Sequence, residues 1–368
     1  MFDSGQSMVR DTGEGHGILQ KSSCREDTKR GELFNTKYTT DTLKGIAISA
    51  VLINHYLNLN LSGDYSGFAY EWISIFFILS GYGLYHSFER LNFDRLTFRK
   101  LRLFYYQRFI RIFPLLWIAW FVQFLVTHGD ISYWIPLGLH GNGHFWFIPA
   151  LLQCYLLAPF LFWGIKKNLY LSLVLLSALL ILANIIFMSG LVPHFIVKLA
   201  QFTESHWMNA YFLQIVFFTV GLLFPLFIPK RDSCTRNSNR IFHTAFFWIL
   251  ATFIIGIMLY LRYFLSRTSF TMLEFDVFPL FLMIFLCAHA IFHGIRNRLL
   301  EFLGRISYTI YLFHWSFYLL LRHIAGFRFN STKELILCLI LFPFFLYTSK
   351  RLEDFGSFIV SYSRSGAR

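Results

Sequence analysis

The sequence predicts an all-α, polytopic membrane protein of about ten transmembrane helices with both termini cytoplasmic, on three observations. Of its 368 residues 56% are hydrophobic and only 14% charged, more apolar surface than one soluble core can bury. Ten windows are apolar and long enough to cross the ~30 Å hydrocarbon core of a bilayer. With the N-terminus inside, 27 of the 33 Lys and Arg residues fall on the inner side and six on the outer, as the positive-inside rule requires. The net charge of +13 then reflects topology and anionic membrane lipids, and no soluble basic domain exists to hold nucleic acid.

Taken in order, residues 1–40 are rich in Gly, Ser and Thr with balanced charge and read as a disordered cytoplasmic tail. No apolar run precedes residue 43, so a cleavable signal peptide is not expected and the first helix acts as its own insertion signal. The membrane domain covers 41–352, with spans at 43–62, 68–88, 106–127, 145–165, 169–190, 209–229, 242–262, 273–293, 307–325 and 334–350. Residues 353–368 form a short cytoplasmic C-terminal tail. Basic stretches at 89–103, at Lys166 and Lys167, at 230–240 and at Arg296, Arg298 and Arg305 mark inner loops. The stretch 191–208, which holds Pro193, Lys198, Glu204 and His206, reads as an outer loop. Cys24, Cys154, Cys234, Cys287 and Cys338 lack metal-ligand spacing and give neither a disulfide framework nor a zinc site.

The first span carries the most telling pair. Lys44 and His55 are eleven residues apart on one apolar segment, a rise of roughly 16 Å along a helix. The lysine marks one membrane surface and the histidine lies deep in the bilayer, where a titratable side chain is costly and points to function. A histidine hydrogen-bonded inside the bundle, without chemistry, is the competing reading. His314, within the span 307–325, is a second intramembrane histidine. Glu71, Glu274 and Asp276 are the carboxylates nearest in predicted depth to His55, and Asp41 lies at the cytoplasmic end.

Five segments in order carry a resemblance: Leu43 to Ala47 followed by His55, IFFILSGY (75–82), RFIRIFP (108–114), HFWFIPALL (144–152) and LGRISYTIYLFHW (303–315). Over roughly residues 40–350 the chain resembles the acyltransferase-3 family of integral-membrane O-acyltransferases. The resemblance implies a ten-helix domain, acetyl-CoA as cytoplasmic acyl donor with no metal, and a glycan or lipid-linked glycan acceptor such as lipopolysaccharide O-antigen or capsule. It also implies a bacterial inner (cytoplasmic) membrane setting. Lys44 stands where that family more often has arginine, keeping the charge without the bidentate fork.

On that resemblance His55 is the general base, and Lys44 contacts the donor or compensates its charge. Arg108 and Arg111, three apart at the cytoplasmic end of a span, offer adjacent guanidinium groups to the coenzyme A phosphates. Basic residues flanking a helix end for topology alone are the alternative, and the stronger one for Arg99, Lys100 and Arg102. Ser80 and Tyr82 are placed near the donor, although Ser80 with Gly81 also suits close helix approach and no Gly-x-Ser-x-Gly elbow surrounds it. Trp146, His144, Glu71 and His314 are assigned to the acceptor side. A transporter of a glycan or lipid-linked intermediate is the alternative from another class, and it predicts inverted repeats that the sequence does not display.

Overall fold

The structure is a computed structural model and describes residues 37–56, 66–93, 95–131, 133, 135–138, 143–172, 174, 178, 205–227, 272–324 and 332–365. Of residues 66–71, 143, 205–213, 272–281, 323–324, 332–335 and 364–365 the backbone alone is described. Among the described residues every regular element is a helix. The α-helices are α1 (37–56), α2 (Ser66–Arg90), α3 (Phe98–Val126), α4 (Phe147–Lys167), α5 (Ser205–Phe227), α6 (Met272–His293), α7 (Arg298–Arg305), α8 (Ser307–Ile324) and α9 (Thr332–Ser365). Phe98–Val126 and His144–Lys167 are each long and apolar enough to cross a membrane. The predicted spans 169–190 and 242–262 lie almost wholly outside the described residues, as does the tail up to residue 36.

One end of the bundle gathers the start of α1 with the ends of α2, α4 and α6. Lys166 pairs with Glu89 there, and Arg296, just past α6, lies 3.8 Å over the Tyr38 ring. The backbone N–H of Asn297 donates to Thr42 Oγ1 at 3.2 Å. Short α7 starts on a side-chain cap, since Asn297 accepts from the Leu300 N–H, a bond worth ~1 kcal/mol. Gly304 lets its backbone pass directly against the Asp41 carbonyl. Phe88, Phe93, Phe104 and Phe162 interlock at this end, with Phe88 at 4.8 to 5.1 Å from the other three centroids, and so join α2, α3 and α4. Thr42 and Ser49 return their hydroxyls to carbonyls of their own helix, which satisfies them inside an apolar bundle.

Three helix limits differ from expectation. α3 begins at Phe98, inside the basic stretch 89–103 read as an inner loop. α1 begins at 37, inside the stretch read as tail, and Thr39 is fully buried. α9 does not stop near 350 but runs to Ser365. Its basic Ser-Lys-Arg step resembles a helix end, yet Gly356 packs on Leu115 and Ser363 Oγ donates to Tyr106 Oη at 3.2 Å. Tertiary packing on α3 carries the helix past the charge cluster.

α2 and α5 cross backbone to backbone, since a Cβ on Gly81 would collide with the Phe218 carbonyl and one on Gly221 with the Ile78 carbonyl. α4 is parallel to α2, with Phe147 against Phe77 at one level and Phe162 against Tyr85 and Phe88 at the other.

Candidate active site

α8 sets the site. Tyr311, His314, Trp315 and Tyr318 recur at helical spacing and share one face, and that face meets the end of α1 and the turn before α4. Tyr318 Oη donates to the Leu52 carbonyl at 3.2 Å, one turn before His55. Tyr311 Oη donates to the His144 carbonyl and so pins the Gly143–Trp146 turn. Three imidazoles converge: His55 lies 4.9 Å from His314, and His144 5.4 Å from His314, between ring centroids. Trp315 closes the group at 5.4 Å from His55 and 5.8 Å from His144.

The hydrogen bonding of this layer is uneven. His314 is fully buried, and its Nδ1 lies 2.7 Å from the Tyr311 carbonyl. A carbonyl only accepts, so in the neutral ring Nδ1 carries the hydrogen and Nε2 keeps a lone pair. That Nε2, His144 Nε2 and Asn54 Oδ1 are buried without a partner. Leaving such groups unmade costs about 1–3 kcal/mol each, which sets the layer apart from the apolar bundle around it. Among the described residues no carboxylate pairs with His55. Glu71, Glu274 and Asp276 fall where side chains are not described.

Lys44 does not belong to this layer. Eleven residues turn a helix just over three full times, so Lys44 and His55 share a face but stand roughly 16 Å apart. Lys44 Nζ donates to Asp41 Oδ1 at 3.3 Å, with Arg111 and Glu353 within electrostatic reach. Arg108 lies against the rings of Phe104 and Tyr155, at 5.3 and 5.4 Å. Tyr308 Oη donates to the Ile112 carbonyl at 2.9 Å and has Glu353, Tyr155 and Arg111 around it. The predicted lysine and arginine pair thus meets in one cationic layer contributed by α1, α3, α8 and α9.

The remaining expected residues are dispersed. Ser80 is half-buried on α2 beside the Gly81 crossing. Tyr82 is buried with its ring 4.8 Å from His86. Trp146 is buried at the start of α4, one residue beyond the aromatic pair His144 and Phe145. Sequence reasoning missed Glu353, whose Oε2 accepts from Thr309 Oγ1 at 2.6 Å, because it was assigned to the tail. The apolar positions Phe355, Phe358 and Ile359 were the signal that the helix continues. It also missed Tyr311, which stands one turn before His314 on the same face.

A family model described as an acyltransferase domain, of type 3, matches residues 38–349. Comparisons with curated proteins and with solved structures give no match.

Proposed function

The chain belongs to the acyltransferase-3 family, and from that membership we propose a multi-pass O-acetyltransferase of the bacterial inner membrane. It transfers acetyl from cytoplasmic acetyl-CoA to a sugar hydroxyl of a surface glycan such as lipopolysaccharide O-antigen or capsule. The observation that carries this reading is the division of α1 between two layers. Cations stand at one level, with Lys44, Arg108 and Arg111, and imidazoles at the other, around His55. Coenzyme A has the same division, with phosphates at one end and the thioester at the other end of a long pantetheine arm.

In the proposed reaction Arg108, Arg111 and Lys44 bind the donor phosphates, and the pantetheine arm reaches along α1. A ring nitrogen of His55 removes the proton from the acceptor hydroxyl as its oxygen attacks the thioester carbonyl. The carbon–sulfur bond then breaks, and the thiolate takes that proton to leave as free coenzyme A. A positioned imidazole in this role contributes ~10² to 10⁴-fold in rate. Transfer through an acetyl-histidine uses the same groups in two steps.

The test is release of free coenzyme A from acetyl-CoA by the purified protein in nanodiscs, with and without a glycan acceptor. Acceptor-dependent release is expected, and a well-folded His55→Ala variant should lose at least ~10²-fold of it. Undiminished release by His55→Ala would remove His55 as the base.

A further inference from the structure

Among the described residues no carboxylate orients His55. In a triad a buried carboxylate accepts one ring N–H and thereby fixes which nitrogen is free to take a proton. Here the nearest titratable ring is His314, 4.9 Å away and tilted by 33°.

His314 has the attributes an orienting partner needs. Its Nδ1 is committed to the Tyr311 carbonyl at 2.7 Å, which fixes the tautomer and leaves Nε2 as an acceptor. That nitrogen is buried and unpaired. The face carrying it is locked to α1 by the Tyr318 bond to Leu52 and to the His144 turn by the Tyr311 bond. At this centroid separation a small rotation of the His55 ring brings an N–H to His314 Nε2, and such bonds commonly tighten only when substrate is bound.

We propose that His314 is the positioning residue of His55: its Nε2 accepts a hydrogen bond from one His55 N–H and leaves the other His55 nitrogen facing the acceptor hydroxyl. A neutral acceptor suits the site, because a carboxylate at this depth would bring a buried charge needing compensation of its own. The protons balance. On taking the hydroxyl proton His55 becomes an imidazolium with two N–H groups, one shared with His314 Nε2 and the other returned to the departing sulfur. His314 finishes unchanged.

The inference rests on the reading of His55 as base, and two amide variants test it. In His314→Gln the Oε1 stands near the position of Nε2 and can accept from His55. In His314→Asn the amide reaches the Tyr311 carbonyl but offers nothing at the Nε2 position. The Gln variant should keep kcat within ~10-fold of wild type and the Asn variant should lose ~10²-fold, the span of a general base deprived of its orientation. Both should keep KM for acetyl-CoA within about twofold, because neither touches the cationic layer. Equal losses in the two variants, or wild-type turnover in the Asn variant, overturn the proposal.

A second readout separates this failure from failure of the transferase reading. Carbethoxylation of His55 by diethyl pyrocarbonate, followed by mass spectrometry, reports the nucleophilicity of its ring without any acyl donor. The rate in His314→Gln should match wild type and the rate in His314→Asn should differ several-fold. If wild type releases no coenzyme A but the labelling contrast holds, the pairing stands and the reaction class falls. Identical labelling in all three proteins overturns the pairing itself.

Discussion

Arg108 and Arg111 show what residue spacing can and cannot say. Their separation by three put both on one helical face in the sequence, and both do turn toward the layer that holds Tyr155 and Tyr308. Their surroundings were not legible. Arg108 is half-buried between two aromatic rings, whereas Arg111 is exposed beside the Lys44, Asp41 and Glu353 charges. The two should therefore respond differently to the same substitution. Replacing either by Ala should weaken acetyl-CoA binding by about 1.5–3 kcal/mol, the worth of a charged hydrogen bond. Lys should restore most of the loss at 111, where a point charge suffices. It should restore little at 108, where the planar guanidinium lies against rings and ammonium does not stack as well. Titration calorimetry in nanodiscs measures both, and equal rescue at the two positions would assign Arg108 no planar contact. The histidine layer was legible only in part for a similar reason. His55 stood out by its depth in an apolar segment, but its proximity to His314 and His144 arises from three separate segments, and no spacing rule within one helix reports that.

At the scale of elements, small residues decide how closely helices approach. Gly81 was read from the sequence as a close-approach position, and it is one, but its partner Gly221 could not be found by inspection of α2 alone. The pair lets two backbones meet where the lipid-soluble exterior supplies no hydrophobic drive, so that packing contacts must hold the helices together. In Gly221→Ala the new methyl meets the Ile78 carbonyl, which belongs to a helix backbone and cannot swing aside. A loss of roughly 1–3 kcal/mol is expected from overpacking of this kind, seen as a lower unfolding midpoint in detergent. Gly83→Ala is the matched control, since a Cβ there meets nothing within 4 Å, and it should be neutral or slightly stabilising through its better helix propensity. Equal midpoints for the two variants would mean that α2 and α5 do not cross at these glycines. The same reasoning explains α9. Composition alone ended it at the basic step near 350, and contacts with α3 that the sequence does not announce carry it on to Ser365 and bring Glu353 to the cationic layer.

For the whole molecule the direction of α5 is the decisive quantity, because it sets which loops lie on which side. Hydropathy counted one crossing at 169–190 and one at 242–262, which made α5 run from outside to inside. The glycine crossing with α2 lies at one level and fits either direction, so the direction follows from the charge count. α6 ends beside Tyr38 and Thr42, at the end where α1 begins, as ten crossings require. The rule is a bias summed over loops, and on that sum the basic stretch 230–240, which lies outside the described residues, is expected on the inner side with the start of α1 and the end of α9. A cysteine at Asn237 should therefore resist a membrane-impermeant thiol reagent in intact cells, and one at Ser331 should react, each in a chain whose native cysteines are replaced. Reaction at both would reverse α5 and move 230–240 outside, against the charge rule. Protection at 237 with reaction at 331 puts the end of α5 inside, on the side expected for Lys44, Arg108 and Arg111, where a donor carrying phosphates is available.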